Sequence, residues 1–158
     1  MTAPYEPWDE KRGADIIAEH AGLEGATLVI LHAVQQAFGY VPGPAIAMMA
    51  SALNLSRAEV FGVFSFYHDF RKQPAGRHVL KLCRAEACQA AGGDRLAARA
   101  EARLGIALGN TTADRRVTLE PIYCLGLCAT APSAQLDGRV IGRLDDARLD
   151  ALVAEAQR

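Results

Sequence analysis

Apolar residues recur at helical spacing through the first part of the chain. The segments Asp9–His20 and Thr27–Phe38 each place large aliphatic side chains on one face, and Gly39 follows the second segment as a helix stop. Pro44 suits the first turn of a third helix that runs to Leu53. The pattern therefore predicts a small bundle of helices.

A capping signature precedes a fourth helix. Ser56 and Glu59 have the S-x-x-E spacing in which each side chain bonds the other residue's backbone N–H. We expect Phe64 and Tyr67, farther along this helix, to be core residues. His32 faces the apolar stripe of the second helix, and we expect a core or boundary histidine there rather than a metal ligand.

The pattern changes after Gln73–Gly76, a turn-rich segment. Arg77–Cys83 and Val117–Tyr123 alternate as strands do, and the Ala-rich Gln89–Leu104 between them predicts a helix. Pro121 cannot donate to a ladder, so we expect the second strand to lie at an edge or a bend.

The end of the chain predicts a hairpin and a last helix. Ala134–Asp137 and Arg139–Ile141 flank Gly138, and Asp-Gly is a favoured two-residue hairpin turn. A capping aspartate precedes the helix Ala147–Gln157. The resulting order, β-α-β-β-β-α, resembles a small thioredoxin-like unit.

The fold class is therefore predicted as α/β, with an N-terminal helical bundle over residues 1–75 and a thioredoxin-like domain over residues 76–158. A net charge of −1 without a Lys/Arg cluster argues against a nucleic-acid partner. The N-terminus, MTAPYEPWDEKRGAD, lacks the pattern of a secretory signal, and no apolar run could span a bilayer. We expect a soluble, cytoplasmic protein.

All four cysteines of the chain fall in two tight pairs, with C-x4-C and C-x3-C spacing. Four thiolates complete the coordination of a 2Fe-2S cluster. Structural zinc also uses four cysteines but prefers C-x2-C, and disulfides suit oxidising compartments. No nucleotide-binding glycine motif occurs, so we do not expect the chain to bind NAD or FMN by itself.

The predicted elements place both pairs at strand ends. Cys83 ends one strand and Cys88 lies where the next helix begins, whereas Cys124 ends the next strand and Cys128 lies in the loop beyond it. We expect these two loops to meet and to hold a metal group between them. Gly126 and the Gly92-Gly93 pair should allow backbone amides to approach sulfur.

Several motifs resemble the thioredoxin-like ferredoxin family, whose best-known members are the small iron–sulfur (E-chain) subunits of NADH dehydrogenases. The motifs are FGYVP, LNLSRAEVFGVFSFY, CRAEAC, and CLGLC with the nearby Pro132. Within that family, SFYHDFR and CRAEACQ are most similar to the gamma subunit of soluble NAD-dependent formate dehydrogenases. One departure is Ser65, where threonine is expected before Phe-Tyr.

The resemblance implies one 2Fe-2S cluster, with Cys83 and Cys88 on one iron and Cys124 and Cys128 on the other. It also implies that this chain docks, with its cluster facing the FMN, against an FMN- and NADH-binding flavoprotein subunit, which connects to a molybdenum-containing formate dehydrogenase subunit. The helical bundle is then best explained as a docking platform. The chain would be a non-catalytic electron-transfer subunit of an NAD-dependent oxidoreductase. Arg84, between the cysteines, is expected to face solvent or the partner.

Three alternatives stay open on the sequence. The first is the equivalent subunit of an NADH-quinone oxidoreductase or of an NAD-linked hydrogenase. The second is a stand-alone thioredoxin-like ferredoxin, and the third is a zinc-stabilised module without redox activity.

Overall fold

The computed structural model describes residues 5–158, so the first four residues of the predicted bundle lie outside the described part. The chain divides into two compact units, Met1–Pro74 and Ala75–Arg158. The first unit contains four helices: α1 (Glu10–His20), α2 (Ala26–Phe38), α3 (Gly43–Leu53) and α4 (Arg57–Phe66).

The four predicted helices of the first unit are confirmed. Asp9 caps α1 by accepting a hydrogen bond from the Arg12 N–H, and Gly39 ends α2 in the left-handed conformation. Ser56 and Glu59 form the complete capping box of α4. The apolar faces meet in one core, whose fully buried members include Ile30, Leu31, Val34, Val60 and Met49.

Two expectations about this core are wrong. Tyr67 is 45% exposed because α4 ends at Phe66 and the backbone of Tyr67 is already extended, which carries its ring to the surface. His32 is exposed and rests its ring against Phe70, with the ring centroids 4.9 Å apart. The buried status expected for Phe64 is confirmed.

The second unit is built on a five-stranded mixed sheet in the order β2-β3-β1-β4-β5. Its elements are β1 (His78–Cys83), α5 (Glu86–Ala90), α6 (Gly93–Leu104), β2 (Asn110–Thr111), β3 (Val117–Ile122), the 3₁₀ turn Cys128–Thr130, β4 (Ala134–Leu136), β5 (Arg139–Ile141) and α7 (Asp146–Ala156). Strands β1 and β3 are parallel, whereas the other neighbouring pairs are antiparallel. Helices α6 and α7 pack on each other and on β1, and they enclose this unit's core.

The helix expected over Gln89–Leu104 is in fact two helices. Gly92 has φ +91°, a left-handed conformation that stops α5 and turns the chain into α6. Cys88 consequently lies inside the short helix α5 rather than at the beginning of the long one.

The second predicted strand is not an edge strand. It is β3, and it lies between β1 and the two-residue strand β2, which was not predicted. The pairing with β2 reaches Leu119, so Pro121 lies beyond it and the missing N–H removes no ladder bond on that side.

No helix within residues 5–158 has the length and hydropathy required of a bilayer-spanning segment.

Candidate metal centre

Two adjacent strand ends bring the cysteine pairs together. Strands β1 and β3 run parallel, and Cys83 at the end of β1 lies opposite Ile122 at the end of β3. Because parallel neighbours end at the same edge of a sheet, the loop that follows each strand begins at the same place. The first loop carries Cys88 and the second carries Cys124 and Cys128.

Cys83 and Cys88 form a buried pair. Their side chains are 4% and 1% exposed, and the two thiols are hydrogen-bonding neighbours. The Cys88 Sγ lies 3.5 Å from the Oγ of Ser133, and the Cys83 N–H donates to the Ser133 carbonyl over 3.0 Å. Ser133 lies just before β4 and is itself buried. Its contacts with both cysteines therefore hold the first pair in place. Nothing in its local sequence indicated this role.

Cys124 and Cys128 form an exposed pair whose sulfur atoms are 3.7 Å apart. The Gly126 N–H points at the Cys124 Sγ over 3.4 Å, as expected for that glycine. Cys124 has φ +80°, a left-handed conformation that costs a non-glycine residue about 1–2 kcal/mol. Strain of this kind persists where the site needs the side chain.

Hydrogen bonds link the two pairs directly. Burial disfavours the Cys83 thiolate, but the N–H groups of Ala85 and Cys124 and the side chains of Cys88 and Ser133 together lower the pKa of Cys83 below its usual value. The bond from the Cys124 N–H joins one loop to the other.

Cys128 shows the opposite shift. The hydrogen bond with Cys124 and the repulsion from the Cys124 thiolate raise the pKa of Cys128, and Cys88 and Cys83 add smaller contributions. Negative charge on the neighbouring thiolates therefore disfavours ionisation of Cys128. A bound cation offsets this repulsion with its positive charge, and thiols that coordinate a metal are deprotonated for the same reason.

The four thiols are arranged as two pairs and not as one tight group. In a tetrahedral thiolate site with metal–sulfur bonds of about 2.3 Å, the sulfur atoms are about 3.8 Å apart. The Cys124–Cys128 separation meets this spacing for two ligands of one metal ion. Within residues 5–158, however, no group of three or more His, Cys, Asp or Glu side chains is close enough together to hold one metal ion. The two pairs of thiols match in number the four thiolate ligands that a 2Fe-2S centre requires.

Other residues near the cysteines differ from expectation. Arg84 is half-buried and pairs with Asp94, with the Nη2 and Oδ1 atoms 3.0 Å apart, instead of facing solvent. Its Nε is buried without a hydrogen-bond partner in the described part of the chain. Gly93 packs against the Cys88 carbonyl and not against sulfur.

The family model for thioredoxin-like [2Fe-2S] ferredoxins matches residues 14–157. The chain belongs to this family. The predicted α/β fold class, with a thioredoxin-like 2Fe-2S domain, is thereby confirmed, and so is the predicted cofactor, one 2Fe-2S cluster. The two-pair donor set of this ferredoxin fits that cofactor.

Two curated relatives are E subunits of NADH-quinone oxidoreductases. This ferredoxin is 38% identical over 112 residues to the one from Pseudomonas aeruginosa, an alignment that covers 71% of the chain and 68% of the relative. It is 37% identical over 136 residues to the E 2 subunit from Rhizobium meliloti, covering 86% of the chain and 81% of the relative.

Hydrogenase subunits are also similar. The HndA subunit of the NADP-reducing hydrogenase of Solidesulfovibrio fructosivorans is 31% identical over 132 residues, covering 84% of this ferredoxin and 77% of the relative. A crystal structure of NAD⁺-reducing [NiFe]-hydrogenase in the air-oxidized state superposes with a TM-score of 0.69 and 32% identity. That match covers 83% of this ferredoxin but only 22% of the hydrogenase chain.

Proposed function

We propose that this chain is an electron-transfer subunit of a multisubunit NAD-linked oxidoreductase. The observation that carries the proposal is the meeting of two cysteine pairs at the ends of β1 and β3. Cys83 and Cys88 would bind one iron of the cluster, and Cys124 and Cys128 would bind the other. The cluster supplies the complex with a centre that accepts and donates single electrons.

Hydrogen bonds from the protein surroundings tune such a centre. The Gly126 N–H bonds the Cys124 sulfur, and the N–H groups of Ala85 and Cys124 bond the Cys83 sulfur. Hydrogen bonds to sulfur and local net charge both influence the reduction potential of an iron–sulfur cluster. The exposure of Cys124 and Cys128 leaves this side of the site open to a redox partner.

The catalytic step would belong to other subunits. The sequence has no nucleotide-binding glycine motif, so we assign NADH and FMN to a flavoprotein partner. The relatives are themselves named as subunits of NADH-quinone oxidoreductases and of a hydrogenase, which supports a role inside a larger assembly. We place this assembly in the cytoplasm, because disulfides are rare in a reducing compartment and the four cysteines stay available there as thiolate ligands.

Formate dehydrogenase is the specific complex that we propose, with a molybdenum-containing subunit as the site of formate oxidation. The support is the similarity of SFYHDFR and CRAEACQ to the gamma subunits of such enzymes. An NADH-quinone oxidoreductase or an NAD-linked hydrogenase is the second candidate, favoured by the names of the relatives.

Substitution of single residues tests the ligand assignment. Cys124→Ser should abolish or distort the EPR signal of the reduced protein and lower its iron content. His32→Ala is the matched control, because His32 is exposed and makes its ring contact with Phe70, so the signal should be unchanged. Loss of the signal in the histidine variant but not in the cysteine variant would refute the assignment.

The choice of complex is tested on the assembly that co-purifies with the tagged chain. NAD⁺ reduction should be measured with formate and with hydrogen, and NADH oxidation with a quinone. Activity with formate and the presence of molybdenum support the first candidate. Activity with hydrogen or a quinone, without formate activity, replaces it with the second.

A further inference from the structure

Ser133 is a polar residue at a buried position beside the cysteines. It is 2% exposed, and the next residue, Ala134, is fully buried in the apolar core of the second unit. Removing a hydroxyl from water disfavours folding unless that hydroxyl is hydrogen-bonded inside the protein. A serine at this position therefore requires a partner for its side chain.

The partners of the Ser133 hydroxyl are sulfur atoms. Its Oγ lies 3.5 Å from the Cys88 Sγ, and the side chain also bonds the thiol of Cys83. Within residues 5–158 these two sulfurs are the hydrogen-bond partners of the hydroxyl. The backbone of Ser133 links β4 to β1 without help from the side chain, because its carbonyl accepts from the Cys83 N–H over 3.0 Å. The hydroxyl therefore serves the sulfur atoms rather than the sheet.

The strength of this contact depends on the charge of the sulfur. A neutral thiol is both a weak donor and a weak acceptor, so it compensates poorly for burial of a hydroxyl. A thiolate carries no proton, so the hydroxyl must be the donor, and such a charge-assisted bond is about twice as strong as a neutral one. Cysteines that coordinate a metal are thiolates. The buried hydroxyl is therefore matched to the metal-bound form of Cys83 and Cys88.

We propose that the Ser133 hydroxyl donates a hydrogen bond to the ligand sulfur of the buried pair and thereby raises the reduction potential of the cluster. Reduction adds one negative charge to the cluster and its thiolates. A donor to sulfur therefore stabilises the reduced form more than the oxidised form. Ser133 acts through the ligands, as a positioning residue, and the inference rests on the proposed function because it requires these cysteines to hold the cluster.

The test is an EPR-monitored redox titration of the cluster-loaded chain, with dithionite as the reductant, for the wild type and for Ser133→Ala. The hydroxyl bonds sulfur in both redox states, so only the difference between the two states shifts the potential. At a fixed solution potential, the ratio of reduced to oxidised cluster should fall severalfold and at most about tenfold, which corresponds to about 59 mV for one electron.

Thr118→Val is the matched control. Thr118 is also buried, but its hydroxyl accepts from the Gly76 N–H over 2.6 Å, and it lies four residues before Ile122, the partner of Cys83 across β1 and β3. At about 3.3 Å per residue, this distance along the strand is about 13 Å. The control variant should lose stability, because the Gly76 N–H loses its acceptor, but it should keep the wild-type potential.

A second pair of variants separates the hydrogen bond from packing. Threonine and valine have similar shapes and differ by the hydroxyl, so Ser133→Thr should keep a higher potential than Ser133→Val. ENDOR spectra of the reduced protein in D₂O should also show an exchangeable deuteron near the cluster that Ser133→Ala lacks. A merely structural role for the serine would not produce this difference.

Equal potentials in the wild type and Ser133→Ala, or in the threonine and valine variants, would overturn the inference and leave the proposed function standing. A Ser133→Ala chain that binds no iron would make the hydroxyl a requirement for assembly of the cluster, which also overturns the tuning role. A wild-type chain without a reversible one-electron signal would overturn both the inference and the proposed function.

Discussion

Replacing Gly93 by alanine should damage the metal centre from outside it. Gly93 begins α6, and a Cβ on this residue would lie 2.6 Å from the Cys88 carbonyl oxygen and 3.0 Å from its carbon. Ordinary contact begins at 3.4 Å, so about 0.8 Å of separation is missing. Both obstructing atoms are backbone and cannot rotate away. In the Gly93→Ala variant, α6 must therefore shift away from α5, the helix that carries Cys88.

Two opposing effects decide the size of the change. Overpacking of this kind typically costs about 1–3 kcal/mol. Alanine is a better helix former than glycine, and this preference offsets the loss of stability by at most about 1 kcal/mol. We therefore expect the free energy of unfolding to fall by roughly 1–2 kcal/mol. The cluster content should also fall, because Cys88 shifts relative to Cys83.

Gly92→Ala is the matched control. Gly92 has φ +91° and open space where a Cβ would lie, so alanine there strains the backbone by about 1–2 kcal/mol without pushing on Cys88. Urea unfolding and iron per chain should be measured for both variants. Both should lose stability, but only Gly93→Ala should lose iron or alter the EPR signal. A Gly93→Ala protein that is more stable than the wild type, with full iron content, would refute the reasoning.

Three further substitutions test the two units. Met49→Ala should lower the free energy of unfolding of the first unit by about 2–5 kcal/mol in a urea titration, because Met49 is fully buried in its core, and iron content should not change. Ser56→Ala should lower it by about 0.5–2 kcal/mol, and the pKa of Glu59, now held down by hydrogen bonds to Ser56, should rise when followed by NMR. Asp150→Asn should destabilise the second unit at neutral pH, because hydrogen bonds from Arg99 lower the pKa of Asp150. The stabilisation from the Asp150 carboxylate is therefore present above the ordinary aspartate pKa. It disappears as the pH falls through the lowered pKa of the folded protein. The variant and the wild type should then have equal stability in strong acid, and a difference that persists there would contradict this assignment.

Local signals in the sequence predicted most of the fold. The S-x-x-E spacing of Ser56 and Glu59 determines the start of α4, and Asp137-Gly138 forms the hairpin turn with φ values of +50° and +88°. These features depend on neighbouring residues alone, so a single sequence is enough to recognise them.

The errors concern features that depend on tertiary contacts. Strand β2 has only two residues, Asn110 and Thr111, too few for a periodic pattern, and it exists because β3 offers a free edge. Tyr67 falls on the apolar face that the helical pattern predicts, but it lies just past the end of α4. The direction of its side chain there depends on the turn that follows. The contact of Ser133 with Cys88 spans many residues of sequence and follows only from the sheet order.

The candidate site was predictable to a similar degree. Strand alternation before Cys83 and Cys124 was enough to predict that both loops meet at one sheet edge, and the parallel register of β1 and β3 confirms this placement. The split of the following helix at Gly92 was missed, because a glycine pair permits a break without requiring one. The hydrogen bond that joins Cys83 to the Cys124 N–H depends on a left-handed Cys124, which local sequence does not reveal.

EPR spectroscopy of the reduced protein, with metal analysis of the same sample, tests the central claim most directly. Four cysteines in two pairs should hold two irons and two sulfides per chain. The reduced form should give the signal of one unpaired electron per chain, and that signal should disappear on oxidation. A colourless protein with one zinc per chain and no EPR signal would contradict the account.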